Sequence, residues 1–235
     1  MKKMKIAAVA LLLVMSVSYV SGCLNNVASP DPGSSADETA ASQETEILKK
    51  RLQKMTAKEN GETIYIVDYE YDQEGRVVRN NYYDNVGNKT SFSEMKYNAE
   101  GKEIKNTFYK ADGSVDDWYE TEYDSSGNAV KIITYMPDKE TGQINSWEEC
   151  EYDSAGKEVK RTHYSDSGVA DSWVGSEYDA MGNVICETRY NMKDEIVNYT
   201  RYEYDEEGNM IKDSFFDTEG NLISSIDYEN EYEYE

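Results

Sequence analysis

The sequence predicts an all-β fold, an elongated, twisted antiparallel array of about 14 strands built hairpin after hairpin. Three observations predict it. The first is a recurring heptapeptide, EYDQEGR from Glu70, KYNAEGK from Lys96, EYDSSGN from Glu122, EYDSAGK from Glu151, EYDAMGN from Glu177 and EYDEEGN from Glu203. Its lead tyrosines, Tyr71, Tyr97, Tyr123, Tyr152, Tyr178 and Tyr204, stand 26, 26, 29, 26 and 26 residues apart, the mark of a repeat architecture. The second is the spacing of the glycines from Gly61 to Gly182, alternately 14 and 12 residues except for a three-residue insertion around Met136-Pro137-Asp138. Each 26-residue unit is therefore two similar halves, and the register continues to Asp194, Gly208 and Gly220. The third is what lies between the glycines: about eight to ten residues rich in Val, Ile, Thr, Tyr and Trp, the length and composition of strands.

Residues 1–22 read as a leader. Met1-Lys-Lys-Met-Lys5 is basic, Ile6 to Val20 is apolar, and Val20-Ser-Gly-Cys23 follows at once. An apolar run of about 15 residues is short for a spanning helix and suits a signal peptide. Residues 23–44 are Asn-, Ser-, Pro-, Asp- and Glu-rich with hardly an apolar side chain, the composition of a flexible tether. Residues 45–60 carry Ile47, Leu48, Leu52 and Met55, a rough helical stripe that makes them a candidate capping helix, with continuation of the tether as the other reading. Residues 61–235 are the repeat array.

Within the array, Asp or Asn three residues before Gly (Asp72, Asn98, Asp124, Asp153, Asp179, Asp205) is the signature of a type I turn, the side chain capping amides and Gly taking a positive φ. Columns then align across units. One is Val78, Ile104, Val130, Val159, Ile185 and Ile211, another Tyr83, Tyr109, Tyr135, Tyr164, Tyr190 and Phe216, and a third Ile66, Phe92, Trp118, Trp147, Trp173, Tyr199 and Ser225. Such columns are expected to form cross-strand ladders. The third column lies five residues before the lead tyrosines, so the two point to opposite faces, and a sheet with aromatics on both faces should roll until one is covered. The closing Tyr228–Glu235, YENEYEYE, reads as a last strand whose glutamates guard a free edge, or as a frayed acidic tail.

The formal charge is −23, and without a leader of three Lys and no acids the chain has 21 cations against 47 acids, or −26. A field of that sign repels phosphate backbones, which excludes direct nucleic-acid binding.

Val20-Ser-Gly-Cys23 resembles the lipobox of bacterial lipoproteins, with Val where Leu is commoner. The resemblance implies cleavage before Cys23, lipidation of Cys23 (as with palmitate), and export to the outside of the cytoplasm with the chain anchored to the membrane by lipid. An ordinary secretory leader is the alternative. The recurrent YDxxGN resembles the YD repeats of Rhs-type bacterial surface and toxin-shell proteins over about Tyr65 to Glu235, although the units here are strictly doubled and no toxin domain is appended. YYDNVGN, FYKADGS and FFDTEGN are similar to the hairpins of cell-wall and glucan-binding repeats, which implies sugar or choline recognition by the aromatic column.

Chemistry-bearing constellations are sparse. His163 is the one histidine and sits in a strand. No nucleophile motif or metal spacing accompanies it, so no catalytic residue, metal ligand or cofactor is assigned and the chain is read as no enzyme. The turn aspartates supply one carboxylate each, short of the six to eight oxygens that calcium takes. Cys150 and Cys186 fall three strands apart, roughly 14 Å, and are expected free unless rolling of the sheet brings them together. The binding candidates are Trp118, Trp147, Trp173 and Tyr199, which are either rungs of a packed face or platforms for a ligand. The functional expectation is a surface-anchored, non-enzymatic β-repeat scaffold for adhesion to a cell-wall glycan or a surface protein. A purely structural spacer or envelope-assembly component without a ligand site is the alternative.

Overall fold

The structure is a computed structural model that describes residues 50–137 and 143–234. The leader, Cys23, the tether and part of the insertion lie outside the described residues. Fourteen strands follow one another: β1 (Lys50–Glu59), β2 (Glu62–Tyr71), β3 (Val77–Asp84), β4 (Lys89–Tyr97), β5 (Glu103–Lys110), β6 (Val115–Tyr123), β7 (Ala129–Met136), β8 (Gln143–Tyr152), β9 (Glu158–Ser165), β10 (Ala170–Tyr178), β11 (Val184–Asn191), β12 (Ile196–Tyr204), β13 (Met210–Phe216) and β14 (Leu222–Tyr234). Each pairs antiparallel with its sequence neighbours, and β1 also pairs with β14, so the sheet closes into a barrel.

The turns form as the Asp–Gly spacing predicts. At Asp84, Oδ1 accepts from the amides of Val86 at 3.0 Å and Asn88 at 2.8 Å, while the Gly87 amide donates to the Asp84 carbonyl at 3.1 Å. Gly87 has φ +87°, the left-handed region that a type I turn with a following bulge requires, and Asp194 takes the same region at +62°. The Asn of the YDxxGN motif has its own task, since Asn88, Asn128 and Asn183 each donate from Nδ2 to the turn aspartate.

Closure has a visible cause. The third residue after each turn glycine is skipped by the pairing register: Val77 and Arg79 face Tyr71 and Glu70, leaving Val78 as a bulge, and Ile104, Val130, Val159, Ile185 and Ile211 are skipped likewise. A bulge bends its strand and increases local twist, and one per strand bends the sheet until its edges meet. One expectation changes here. The Val78 column forms no ladder, and Ile104, Val159, Ile185 and Ile211 are exposed. The roll expected of an array of about 14 strands with aromatics on both faces goes to completion, and the array closes into a barrel.

The seam corrects two more. Residues Lys50–Glu59 form strand β1, not a capping helix, because β14 offers them a partner. The closing glutamates guard no free edge: Glu231 and Glu229 pair with Lys54 and Lys58, and Lys50 pairs with Glu207. Behind this clasp lies the best-buried apolar cluster of the described residues, Met55, Ala57, Val67 and Tyr228, with Ala57 fully buried. Basic β1 and acidic β14 thus meet across the seam, with one register shift between Leu52 and Lys54.

The lead tyrosines explain how the hairpins stay together. Alternation puts Tyr119 and Tyr123 on the inner face of β6 and Trp118, Glu120 and Glu122 on the outer face, as the five-residue offset predicts. At the near end, where β1 begins and β14 ends, adjacent hairpins would splay apart. There Tyr97, Tyr123, Tyr152, Tyr178 and Tyr204 each donate the phenol to a carbonyl on the preceding strand, of Val77, Glu103, Ala129, Glu158 and Val184, at 2.5–2.8 Å. Each of those carbonyls belongs to the residue just before a bulge, where the ladder is interrupted. Tyr71 does the same to Leu52 at 2.7 Å, and Asn230 takes the seventh place on Met210 at 3.2 Å.

Cys150 is buried and Cys186 half-buried, and both are free. Cys150 pairs with inward Arg161 and Cys186 with outward Glu177 and Arg201, so the thiols lie on opposite faces of a closed wall. Alkylation of the native protein is expected to modify Cys186 but spare Cys150 until denaturant is added, with peptide mass mapping as the readout.

Candidate functional site

Two regions carry more than the repeat requires. The first is the outer wall near the far end, where the turns at Gly87, Gly113, Gly168, Asp194 and Gly220 lie. Strand alternation aims Trp118, Trp147, Trp173 and Tyr199 outward, and antiparallel register sets each opposite the aromatic of the next strand. The pairs Trp118–Tyr135, Trp147–Tyr164, Trp173–Tyr190 and Tyr199–Phe216 stack with centroids 5.2, 5.2, 4.0 and 4.8 Å apart and ring planes within 12° of parallel. Phe92–Tyr109 continues the series at 4.6 Å. The tryptophan faces are used twice: Lys105, Lys131 and Lys160 lie over Trp118, Trp147 and Trp173 at 4.7, 5.0 and 5.3 Å. A ring with a tyrosine on one face and an ammonium near it offers a partner mainly its edge.

The sequence-predicted site residues are thus brought into one girdle, together with Tyr109, Tyr135, Tyr164, Tyr190 and Phe216. Trp173 differs from the others. Gly175 stands where the other units place a longer residue such as Glu120 or Glu149, and a Cβ there would come within 3.2 Å of the Trp173 ring. The indole also donates to Asp194 Oδ1 at 3.1 Å.

Beside the girdle, the outer wall is charged. Arg79 reaches Glu94 at 3.3 Å, Lys105 reaches Glu120 at 2.9 Å, and Lys212 reaches Asp227 at 3.5 Å. A membrane-spanning barrel shows lipid an apolar band about 25 Å tall, which these outward residues do not form. No helix among the described residues is long and apolar enough to cross a membrane.

The second region is a charged constellation on the inner wall. Arg161 on β9 meets Glu187 at 2.7 Å, Glu158 at 3.2 Å and Glu148 at 3.7 Å, each of these side chains a fifth exposed or less. Glu158 shares the inner face with Arg161, three residues on, because Val159 is bulged out between them. Tyr202 donates to the second oxygen of Glu187 at 2.7 Å. Burial pushes the Glu158 carboxyl up against the pull of the guanidinium, and burial pushes the Cys150 thiol up as well. Elsewhere on the inner wall, Tyr119 donates to Glu103 and Tyr228 to Asp213, each at 2.6 Å, and burial raises both carboxyls.

This inner cluster was not foreseen from sequence, although it leaves a signal. Arg161 and Glu187 occupy one repeat column, 26 residues apart, that holds Asn80 and Asn106 in earlier units. Opposite charges in one inward column of adjacent units mark a buried pair. His163 Nδ1 lies 2.9 Å from Asp171 Oδ1 near the far end, apart from Arg161's carboxylates. Among the described residues no three His, Cys, Asp or Glu side chains are placed to hold a metal ion.

No protein-family model matches the sequence, and no curated protein matches it. Solved structures do. The chain is similar to a porin-like protein from Bacteroides vulgatus at 10% identity and a TM-score of 0.47, over 77% of this chain and 98% of that one. It is also similar to a DUF1329 family protein from Desulfovibrio piger at 10% identity and a TM-score of 0.31, over 82% and 87% of the two chains. A Photorhabdus luminescens Tc holotoxin pore matches at 13% identity and a TM-score of 0.30, over 64% of this chain but only 11% of the toxin chain. These are likenesses of β-architecture at low identity, and the chain is a closed β-repeat barrel.

Proposed function

We propose that this protein is an exported, lipid-anchored and non-enzymatic barrel that serves as a binding scaffold at the bacterial surface. The observation that carries the reading is the asymmetry of the barrel's ends. The chain enters and leaves at the near end, so a lipid on Cys23 would hold that end by its tether. The aromatic girdle and the exposed turn residues Val86, Val169, Met192 and Leu222 lie at the other. Large exposed apolar surface on a soluble wall is the usual mark of a partner site.

Of the two ligand classes the sequence suggests, the geometry favours protein over glycan. Sugar rings stack on open aromatic faces, and here those faces are occupied by tyrosine and lysine. The test uses the full chain on cells and the Cys23→Ser chain as soluble probe. Palmitate labelling is expected in the first and absent in the second. The soluble probe is expected to bind envelopes digested with glycan hydrolases and to lose binding after protease treatment. Binding that survives protease but not glycan hydrolase would move the reading to cell-wall glycan, and none to either would leave the spacer.

A further inference from the structure

Among the described residues, ten of the sixteen exposed large apolar side chains cluster at the far end, and Val86, Val169, Leu222 and Ile223 are 58–75% exposed there. The near end has Met181 at 70%, Tyr234 at 59% and, set back on the outer wall, the half-exposed bulge residues. The far rim is also strongly acidic, with Asp112, Asp116, Asp166, Asp171, Glu195 and Glu219 all exposed. The cations beside them are fewer: Lys110 is paired with Asp116 at 3.3 Å, Lys89 donates to Asn81 at 2.7 Å, and Lys193 is exposed next to Asp194. The Ser114 hydroxyl and amide donate to Asp112 at 2.7 and 2.9 Å and hold its carboxyl below the usual range.

From this juxtaposition, and resting on the scaffold reading above, we infer that the far rim is a docking surface for a protein partner whose contact face is apolar and basic. Charge chooses that partner over the alternatives. A second copy of this chain would bring the same acidic rim and be repelled, and an anionic lipid surface would be repelled likewise. An apolar, basic protein face satisfies both halves of the rim: aliphatic turns pack on aliphatic side chains, and lysines or arginines meet the interleaved aspartates. Binding energy then comes from the apolar contacts, while the acids set partner choice and encounter rate.

The probe is a synthetic amphipathic helix of leucine and lysine, titrated against the full mature chain carrying Cys23→Ser. Because the whole chain is acidic, location is read from paired variants. Val169→Ser with Leu222→Ser and Ile223→Ser alters the far rim; Met181→Ser with Ile185→Ser is the near-end control. All five positions are exposed, and an unchanged melting temperature confirms the fold. The far-rim variant is expected to lose about tenfold or more in affinity and the control less than about twofold. Equal losses, no loss, equal binding of a leucine–glutamate helix, or capture by phosphatidylcholine vesicles in place of the peptide would each overturn the proposal. If far-rim variants still bind protease-sensitive envelopes, the scaffold reading stands and this rim is not its surface.

Discussion

Replacing Arg161 with methionine is expected to destabilise the barrel by about 3–5 kcal/mol at neutral pH. Arg161 is 16% exposed and faces Glu148, Glu158 and Glu187 at 3.7, 3.2 and 2.7 Å. Methionine nearly conserves volume, so the loss reports charge and not a cavity. Three inner-wall carboxylates left without their cation must be hydrated, separated or protonated. At about 2–4 °C per kcal/mol for a chain of this size, the melting temperature should fall by about 6–20 °C.

The pH dependence of that variant follows from its sign. Burial already raises the Glu158 carboxyl, and without the guanidinium it rises further. A carboxyl whose folded pKa exceeds its unfolded one costs stability while both states are ionised, above the folded pKa. That cost is relieved as pH falls through the folded pKa, because the folded state takes up the proton first. The Arg161→Met variant should therefore regain stability on going from neutral to mildly acidic pH, by more than the parent does. Thermal melts of both proteins across that range provide the check; a gap that stays constant would mean that the charges are already screened by water.

Tyr123→Ala is the second large effect, expected to cost about 3–5 kcal/mol, against about 0.5–1.5 kcal/mol for Tyr123→Phe. Phenylalanine keeps the ring and loses the 2.6 Å bond to the Glu103 carbonyl. Alanine also loses the ring that covers the splay between β5 and β6, over which Lys102 lies at 5.3 Å. Equivalent changes at Tyr97, Tyr178 and Tyr204 should behave alike, since each bridges to the same position before a bulge at 2.5–2.8 Å. Chemical denaturation of the Phe and Ala series measures the two contributions separately. Equal losses for Phe and Ala would assign all of the effect to the phenol.

These expectations show what the sequence carried and what it hid. The hairpins, the turn positions down to Asp194, and the opposite facing of Trp118 and Tyr123 are local consequences of Asp–Gly spacing and period-two alternation, and all are legible. The aromatic girdle was also legible as a column, but the occupancy of its faces depends on cross-strand register. Strand β1 was misread because Ile47, Leu48, Leu52 and Met55 stand at helical spacing. A short apolar stripe of that kind does not exclude a strand. Only the acidic partner strand nearly two hundred residues away decides between the two. The bulges were hidden for a related reason, since Ile104 and Val159 are ordinary strand residues and only register reveals them as skipped.

Both ends and both walls of the barrel depend on the closure of β1 onto β14, and spin labels on Thr56→Cys and Glu229→Cys, in a Cys23→Ser, Cys150→Ala and Cys186→Ser background, test it directly. Thr56 and Glu229 are direct cross-strand partners in the barrel, both facing outward. Closure predicts strong dipolar broadening, with the labels within about 20 Å of one another. An open array of the same strands, at about 4.8 Å per strand, would hold them about 60 Å apart. A distance distribution centred near that longer value would contradict the barrel.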